Sequence, residues 1–362
     1  MNPTDLQDAQ NDSEGLKIIL RSLGIDLVEI DQEKNYWLVR TEGGMFFSDF
    51  FFGKFIAIRY NKINDLELIR CGSEEDLREE IVKHYPEESR PGLIVKQLKR
   101  FVNEMTKGDI VIIPSAGSEH IAVGEIADDE VYLITESQYE ELLTEDACHY
   151  IKRRKINWFK TIPKAKIDPY LYKLLNSHHS ITSANDYASF IDRSLYSLFK
   201  KGDSVHIIFE VEESKRIQAV DVIGFIAGIV NGVDVFNNVT GSNYNKADID
   251  LKINVQSPGP IEFIAGISLA GAFILGSTTI IGGNSKIKLP FGLGEISIET
   301  PGIVGQILKY IEISNQNNTQ ASNNSQNQDV VSKMRKLKIK SPLKSRKKLE
   351  ADDNGCEAPN QE

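Results

Sequence analysis

Seven Lys/Arg and no acid fall between Lys152 and Lys166, with Trp158 and Phe159 among them. Cations beside flat rings suit a nucleic acid, because the strand needs its phosphates neutralised and its bases stacked. On a β-strand Arg153 and Lys155 share one face, and Lys152 and Arg154 the other. Lys152, Arg153, Arg154, Lys155, Lys160 and Lys164 are the expected nucleic-acid face. The competing reading is an edge strand guarded by Lys and Arg. A second group, Glu210, Glu212, Glu213 and Lys215, has the residue types of a metal-dependent nuclease. It lacks an acidic partner on a preceding strand, since Asp203 sits in a turn, and an acidic strand end explains it equally well. The chain carries no phosphate-binding loop, nucleophile elbow, zinc-protease or kinase signature. Cys71, Cys148 and Cys356 and the six histidines show no ligand spacing, so neither metal, cofactor nor disulfide framework is expected.

The charge balance constrains these readings. The net charge is −10 over 362 residues. Residues 313–362 hold nine Lys/Arg and six Asp/Glu, a balance of +3, which leaves −13 for residues 1–312. A body that acidic repels a phosphate backbone, so contact requires a local basic face. The polar, acidic start, MNPTDLQDAQNDSEG, does not read as a signal peptide.

Several elements must position these residues. A short helix is expected over 13–23, then a strand to Ile30. Between 35 and 160 the pattern is β-rich, with strands at Tyr36–Arg40, Lys54–Tyr60, Asp109–Pro114, His120–Ile126 and Tyr150–Trp158. Helices are predicted at Ser73–Lys83, capped by Ser73, and at Gly92–Met105. Many short strands with few helices suggest a small barrel. Ala184, Tyr187, Ala188, Ile191, Leu195 and Leu198 recur at helical spacing and predict one helix over Thr182–Lys200. Val205–Val211 reads as a strand, Ile217–Phe236 as a helix, and 248–256 as a half-buried strand.

Residues 263–285 contain no charge. The run 263–281 is long enough to cross a bilayer, with small residues four apart at Gly266/Ala270 and Ala272/Gly276. The same run reads equally as a core element interrupted by glycine. Strands are expected near Lys286–Phe291 and Glu295–Glu299, and a helix at Pro301–Ile313. Residues 314–328 are Asn/Gln/Ser-rich and read as disordered. Nine of the sixteen residues 333–348 are basic.

Taken in order, residues 35–160 resemble the EVE-like domain of the PUA superfamily found at the front of bacterial restriction-related, Mrr-type proteins. The resemblance rests on Tyr36-Trp37-Leu38-Val39-Arg40, Gly43-Gly44, Asp49-Phe50, Phe55-Ile56-Ala57-Ile58, Gln97, Phe101-Val102-Asn103-Glu104-Met105, Lys107-Gly108-Asp109-Ile110-Val111, Pro114, Val123-Gly124-Glu125-Ile126 and Arg154-Lys155-Ile156-Asn157-Trp158. Arg59 and Tyr60 depart from it, standing where Gly and Trp are usual, and Glu136–Asp146 is longer and more acidic. The resemblance implies a small β-barrel whose aromatic pocket holds a flipped, often modified, base. Such a pocket needs flat walls and fixed polar groups. Trp37, Phe50 and Tyr60 are the candidate walls; Arg40, Asn61 and Asp109 are the candidate polar contacts. Trp37 and Phe50 also read as ordinary core.

The fold class expected is α+β, with an extension (1–32), a PUA/EVE-like barrel (33–167), an α+β segment (168–258), a hydrophobic, possible membrane module (259–313) and a disordered basic tail (314–362). The function expected is non-enzymatic recognition of a nucleic acid or nucleotide, with a C-terminal module for output, homo-oligomer assembly or inner-membrane attachment through 263–281. The resemblance implies defence against foreign DNA, in the cytoplasm or on the inner membrane facing it. The rivals are a restriction-type nuclease targeted by the barrel and a soluble adaptor.

Overall fold

A computed structural model of the chain describes residues 16–17, 20–21, 27–144, 147–213, 217–253, 259–281, 285–288, 295–298 and 330–340. The fold is mixed α/β and divides into two units. Glu33–Leu195 form one; Met1–Gln32 and Tyr196–Glu362 form the other.

The 33–195 unit is built on a curled, half-barrel sheet. Its strands are β2 (Tyr36–Val39), β3 (Phe55–Ile58), β4 (Ile110–Pro114), β5 (His120–Ile126), β6 (Tyr132–Leu133), β7 (Lys152–Pro163) and β8 (Ile181–Ser183); β1 (Val28–Ile30) belongs to the other unit. They run in the order β3-β7-β5-β4-β2-β8, with β6 on β7. The four-residue runs YWLV and FIAI are buried throughout, which is why they read as apolar without alternation. β2 and β4 are parallel; the other pairings are antiparallel. Helix α1 (Phe47–Phe52) follows β2; α2 (Leu66–Cys71), α3 (Glu74–His84) and α4 (Pro91–Lys99) follow β3. Ser73 and Asp76 close a capping box on α3. The helix predicted to run unbroken to Met105 changes to a wide π-turn at Arg100–Glu104, where the Met105 N–H donates to the Arg100 carbonyl.

The single helix expected over Thr182–Lys200 is instead three pieces: β8, helix α7 (Ala188–Leu195) and strand β9 (Leu198–Lys201), with α5 (Glu136–Thr144) and α6 (Leu171–Leu175) preceding. The apolar spacing fits a helix, but Ala184 N–H donates to the Tyr36 carbonyl and β8 pairs with β2, so tertiary pairing overrides the periodicity. Tyr36 Oη also donates to buried Asp192 at 2.6 Å. Residues 168–195 therefore fold with the barrel-like sheet, and this unit extends beyond the expected boundary at 167.

In the other unit the sheet order is β1-β9-β10-β12-β11, with β10 at Ser204–Val211, β11 at Asp250–Ile253 and β12 at Gly259–Gly266. The Ile217–Phe236 helix is two, α8 (Ala219–Val230) and α9 (Gly232–Thr240). The uncharged run 263–281 divides into the end of β12 and helix α10 (Ile267–Ile281). Phe263, Ala270, Ala272, Phe273 and Ile274 are fully buried, so within the fold residues 263–274 contribute to the core. A Cβ on Gly276 would lie 1.8 Å from the Gly232 carbonyl oxygen, so glycine is required where α9 and α10 touch. The described stretch long and apolar enough to cross a membrane is Ala219–Asn238. The basic tail is in part structured. Residues 330–336 are helical, with Val330 buried against Gly228, and β15 (Ile339–Lys340) pairs with β10. The hairpin β13–β14 is Ser285–Lys288 with Glu295–Ile298. The helices expected at 13–15 and 301–313, the strand end 254–256 and the disorder at 314–328 lie outside the described residues.

Candidate functional site

A recess in the 33–195 unit lies where the parallel strands β2 and β4 end. It is a cleft of about 380 Å³ lined by Arg40, Gly43, Pro114, Ser115, Gly117, Ser118, Leu175, Asn176 and His178. That volume falls within the range of small-molecule sites, ~300–1,000 Å³. Three chain segments meet there, and each is fixed by main-chain bonds. Arg40 N–H donates to the Ser180 carbonyl, and Arg40 Nη1 to the Leu175 carbonyl, both at 2.9 Å. Thr41 Oγ1 donates to the Pro114 carbonyl at 2.6 Å. Gly44 has a φ of +106°, and a Cβ there would lie 2.1 Å from the Ala116 nitrogen. Gly44 is thus required by close backbone approach between the two turns, and Gly43 by its φ of +69°.

A second cluster gathers around Glu42, Phe46, Tyr60 and Tyr150. Glu42 (φ 49°) and Tyr60 (φ 72°) are both non-glycine residues in the left-handed region. Such conformations cost about 1–3 kcal/mol each and persist where the surroundings enforce them, often at functional sites. Tyr150 Oη donates to Glu42 Oε1 at 2.7 Å, and burial, then Glu42, holds the Tyr150 phenol protonated well above its usual range. Arg59 lies 4.6 Å over the Tyr60 ring and pairs with Glu88 at 2.6 Å. Burial opposes the Arg59 charge, but Tyr60, Glu88 and Glu42 together outweigh it and raise its pKa. Burial pushes the Tyr60 phenol up to about 12. Tyr60 meets Tyr85 edge-on at 5.2 Å, and Phe46 meets Tyr150 at 5.3 Å and His149 at 6.0 Å.

Of the residues expected in the pocket, Arg40 lines the cleft, and Tyr60 and Asn61 lie in the second cluster. Asn61 bridges the main chain, donating to the His149 carbonyl and accepting from Ile151 N–H. Trp37 and Phe50 are core, 4% and 0% exposed, and not walls of the cleft. Asp109 is buried; its carboxylate accepts from Trp37 Nε1 at 2.8 Å and from the N–H groups of Asn35 and Thr106, so it closes a turn and orients the indole.

The expected nucleic-acid face divides in two. Lys152, Arg153 and Arg154 are 0%, 8% and 1% exposed and cannot reach a phosphate from inside the fold. Each binds main-chain carbonyls instead. Lys152 Nζ donates to the Tyr60 carbonyl at 2.8 Å. Arg153 donates to Tyr150 and Cys148 and stacks on Phe55 at 4.0 Å. Arg154 donates to Phe101, Val102 and Asp129. Burial lowers all three, Lys152 to about 7 and Arg154 to about 10. Lys155 is exposed and lies 3.4 Å from Asp128. Lys160 is exposed, and Lys164 donates to the Gly117 carbonyl at 3.1 Å, on the rim of the cleft.

Residues 37–185 match the family model described as Domain of unknown function (DUF8426). No curated protein and no solved structure matches the chain. The matched segment contains the second cluster and every residue lining the cleft. Ser115, Ser118, Asn176 and His178 were not singled out by the sequence; the signal available was the Gly/Ser turn at 115–118, which is common in loops without a ligand.

The acidic group at the end of β10 gathers little. Glu213 pairs with Lys338 at 2.9 Å, and Lys215 lies outside the described residues. Among the described residues, no three His, Cys, Asp or Glu are grouped to hold a metal ion.

Proposed function

We propose that the 33–195 unit is a non-catalytic reader that binds a nucleotide, free or within a nucleic acid, in the cleft beside Arg40. The observation that carries this is the Arg40 guanidinium standing in a polar cleft at the carboxyl ends of two adjacent parallel strands. Arginine in a polar cleft suits the planar, bidentate recognition of a phosphate. Ser115, Ser118, Asn176 and His178 supply polar contacts for the rest of the ligand. The PUA/EVE-like resemblance of residues 35–160 points to the same class of ligand and is the basis for proposing a role in defence against foreign DNA.

Isothermal titration of the full chain with nucleoside monophosphates tests this. Arg40→Ala is expected to weaken binding by about 10-fold to 150-fold, the range of a lost charge-assisted hydrogen bond of ~1.5–3 kcal/mol. Its melting temperature should stay near that of the parent, because the guanidinium makes one main-chain bond. Equal affinity in the parent and Arg40→Ala would end the assignment of the cleft.

For localisation we propose the cytoplasm or the cytoplasmic side of the inner membrane. Any membrane contact belongs on 219–238, where Val220 and Ile223 are 63% and 66% exposed, rather than on 263–281. Fractionation that leaves the chain soluble without detergent would remove that contact.

A further inference from the structure

Tyr170 is 65% exposed, yet its ring is held flat. It stacks on Phe190 with centroids 4.8 Å apart and planes 19° from parallel. On Phe190 also lies the Arg193 guanidinium, 4.6 Å from the ring centroid, and Arg193 is bound to buried Asp168. The platform is thus fixed from beneath by a cation and a buried carboxylate. The pair with Phe190 orders the ring, and its remaining exposed surface can take another flat group at little further ordering cost.

The surroundings state which flat group. Lys160 donates to the Leu195 carbonyl at the end of α7, the helix that carries Phe190 and Arg193. Tyr172 Oη donates to the Lys164 carbonyl, which ties the segment carrying Tyr170 to Lys164; Lys164 Nζ reaches the Gly117 carbonyl on the cleft rim and lies 3.7 Å from the exposed carboxylate of Glu119, a partner that a phosphate would displace. Lys166 and Lys173 are exposed within the same segment. Along residues 157–173 the acid is Asp168, which Arg193 neutralises; Glu119 from the β4–β5 turn also reaches Lys164, so Lys160, Lys166 and Lys173 carry the excess positive charge. Positive charge around an open ring face, on a chain of net charge −10, complements a strand of bases and phosphates.

We infer that the patch around Tyr170 binds single-stranded nucleic acid, with a base stacked on Tyr170 and neighbouring phosphates held by Lys160, Lys164 and Lys166. This rests on the reading of the cleft as a nucleotide site and specifies it: the ligand is one nucleotide of a strand, and the patch holds the flanking ones.

The test is fluorescence anisotropy of the full chain with 12-nucleotide single-stranded DNA and RNA, alongside titration with a mononucleotide. Tyr170→Ala is expected to weaken strand binding by about 5-fold to 150-fold, the range of one lost base stack, and to leave mononucleotide binding unchanged. Lys164→Gln with Lys166→Gln should flatten the log–log salt slope by about 1.4, at ~0.7 per phosphate on single strands. Tyr170→Phe should restore the affinity, which a merely structural tyrosine hydroxyl would not predict. Mononucleotide binding without tighter, Tyr170-dependent strand binding would overturn this inference while leaving the cleft reading intact. Tyr170-dependent strand binding that Arg40→Ala does not affect would keep the patch and reject the cleft. Loss of strand binding together with Tyr170-dependent binding to anionic phosphatidylserine vesicles or to a proline-rich peptide would overturn it in favour of those partners.

Discussion

Arg154→Met is expected to destabilise the chain by about 2–6 kcal/mol, at ~1–3 kcal/mol for each of two buried carbonyls left without a donor. The reason lies in the π-turn at Arg100–Glu104. A wide turn leaves carbonyls that an α-helix would have satisfied, and two of these, Phe101 and Val102, accept from Arg154 at 2.6 and 2.9 Å. A third donation goes to the Asp129 carbonyl at 3.3 Å. Methionine fills similar space but donates nothing, so the carbonyls remain buried and unpaired. Urea unfolding followed by fluorescence measures this directly. A loss below about 1 kcal/mol would mean the π-turn is satisfied in some other way.

Lys152→Met is expected to change stability in the opposite sense, and by an amount that depends on pH. Lys152 is fully buried, and the bond it makes is to the Tyr60 carbonyl, which also accepts from Ile63 N–H. Burial lowers its pKa from 10.5 to about 7. The unfolded chain therefore binds more protons at this group than the folded chain between pH 7 and 10.5, and stability rises with pH across that window. Below pH 7 both states are charged and the folded state bears the whole desolvation cost, a few kcal/mol at ~1.4 kcal/mol per pH unit. Methionine removes that cost. The variant should be the more stable at pH 6, and the difference should vanish as pH approaches 10.5. A difference curve that is flat from pH 6 to 10 would show that Lys152 titrates normally.

These two residues also show what the sequence could and could not convey. The strands at Tyr36, Phe55 and Ile110 were legible as short apolar runs, and those at His120 and Val205 as β-branched runs broken by few polar residues, all too short to be core helices. The Lys152–Lys155 run was not, because Lys and Arg are rarely fully buried and four in a row read as a solvated face. What buries three of them is main chain elsewhere: the π-turn fifty residues earlier, the left-handed turn at Tyr60, and the 148–150 loop. None of these leaves a mark in the local sequence. The misread helix over 182–200 has the same origin, since strand pairing with β2 and β10 outweighs a good helical period. Arg40 was legible as a candidate contact, as it ends a strand before Gly43-Gly44. Its partners Ser115, Asn176 and His178 come from segments that only the fold brings together.

Phosphate beside Arg40, on a patch that also offers Tyr170 to a neighbouring base, is the central claim. Co-crystallising the full chain with a short oligonucleotide tests it most directly. Density is expected for one nucleotide between Arg40 and the Ser115–Ser118 turn, with a base on Tyr170 and backbone between the two. Density that occupies any other surface, with the cleft filled by water alone, would contradict it.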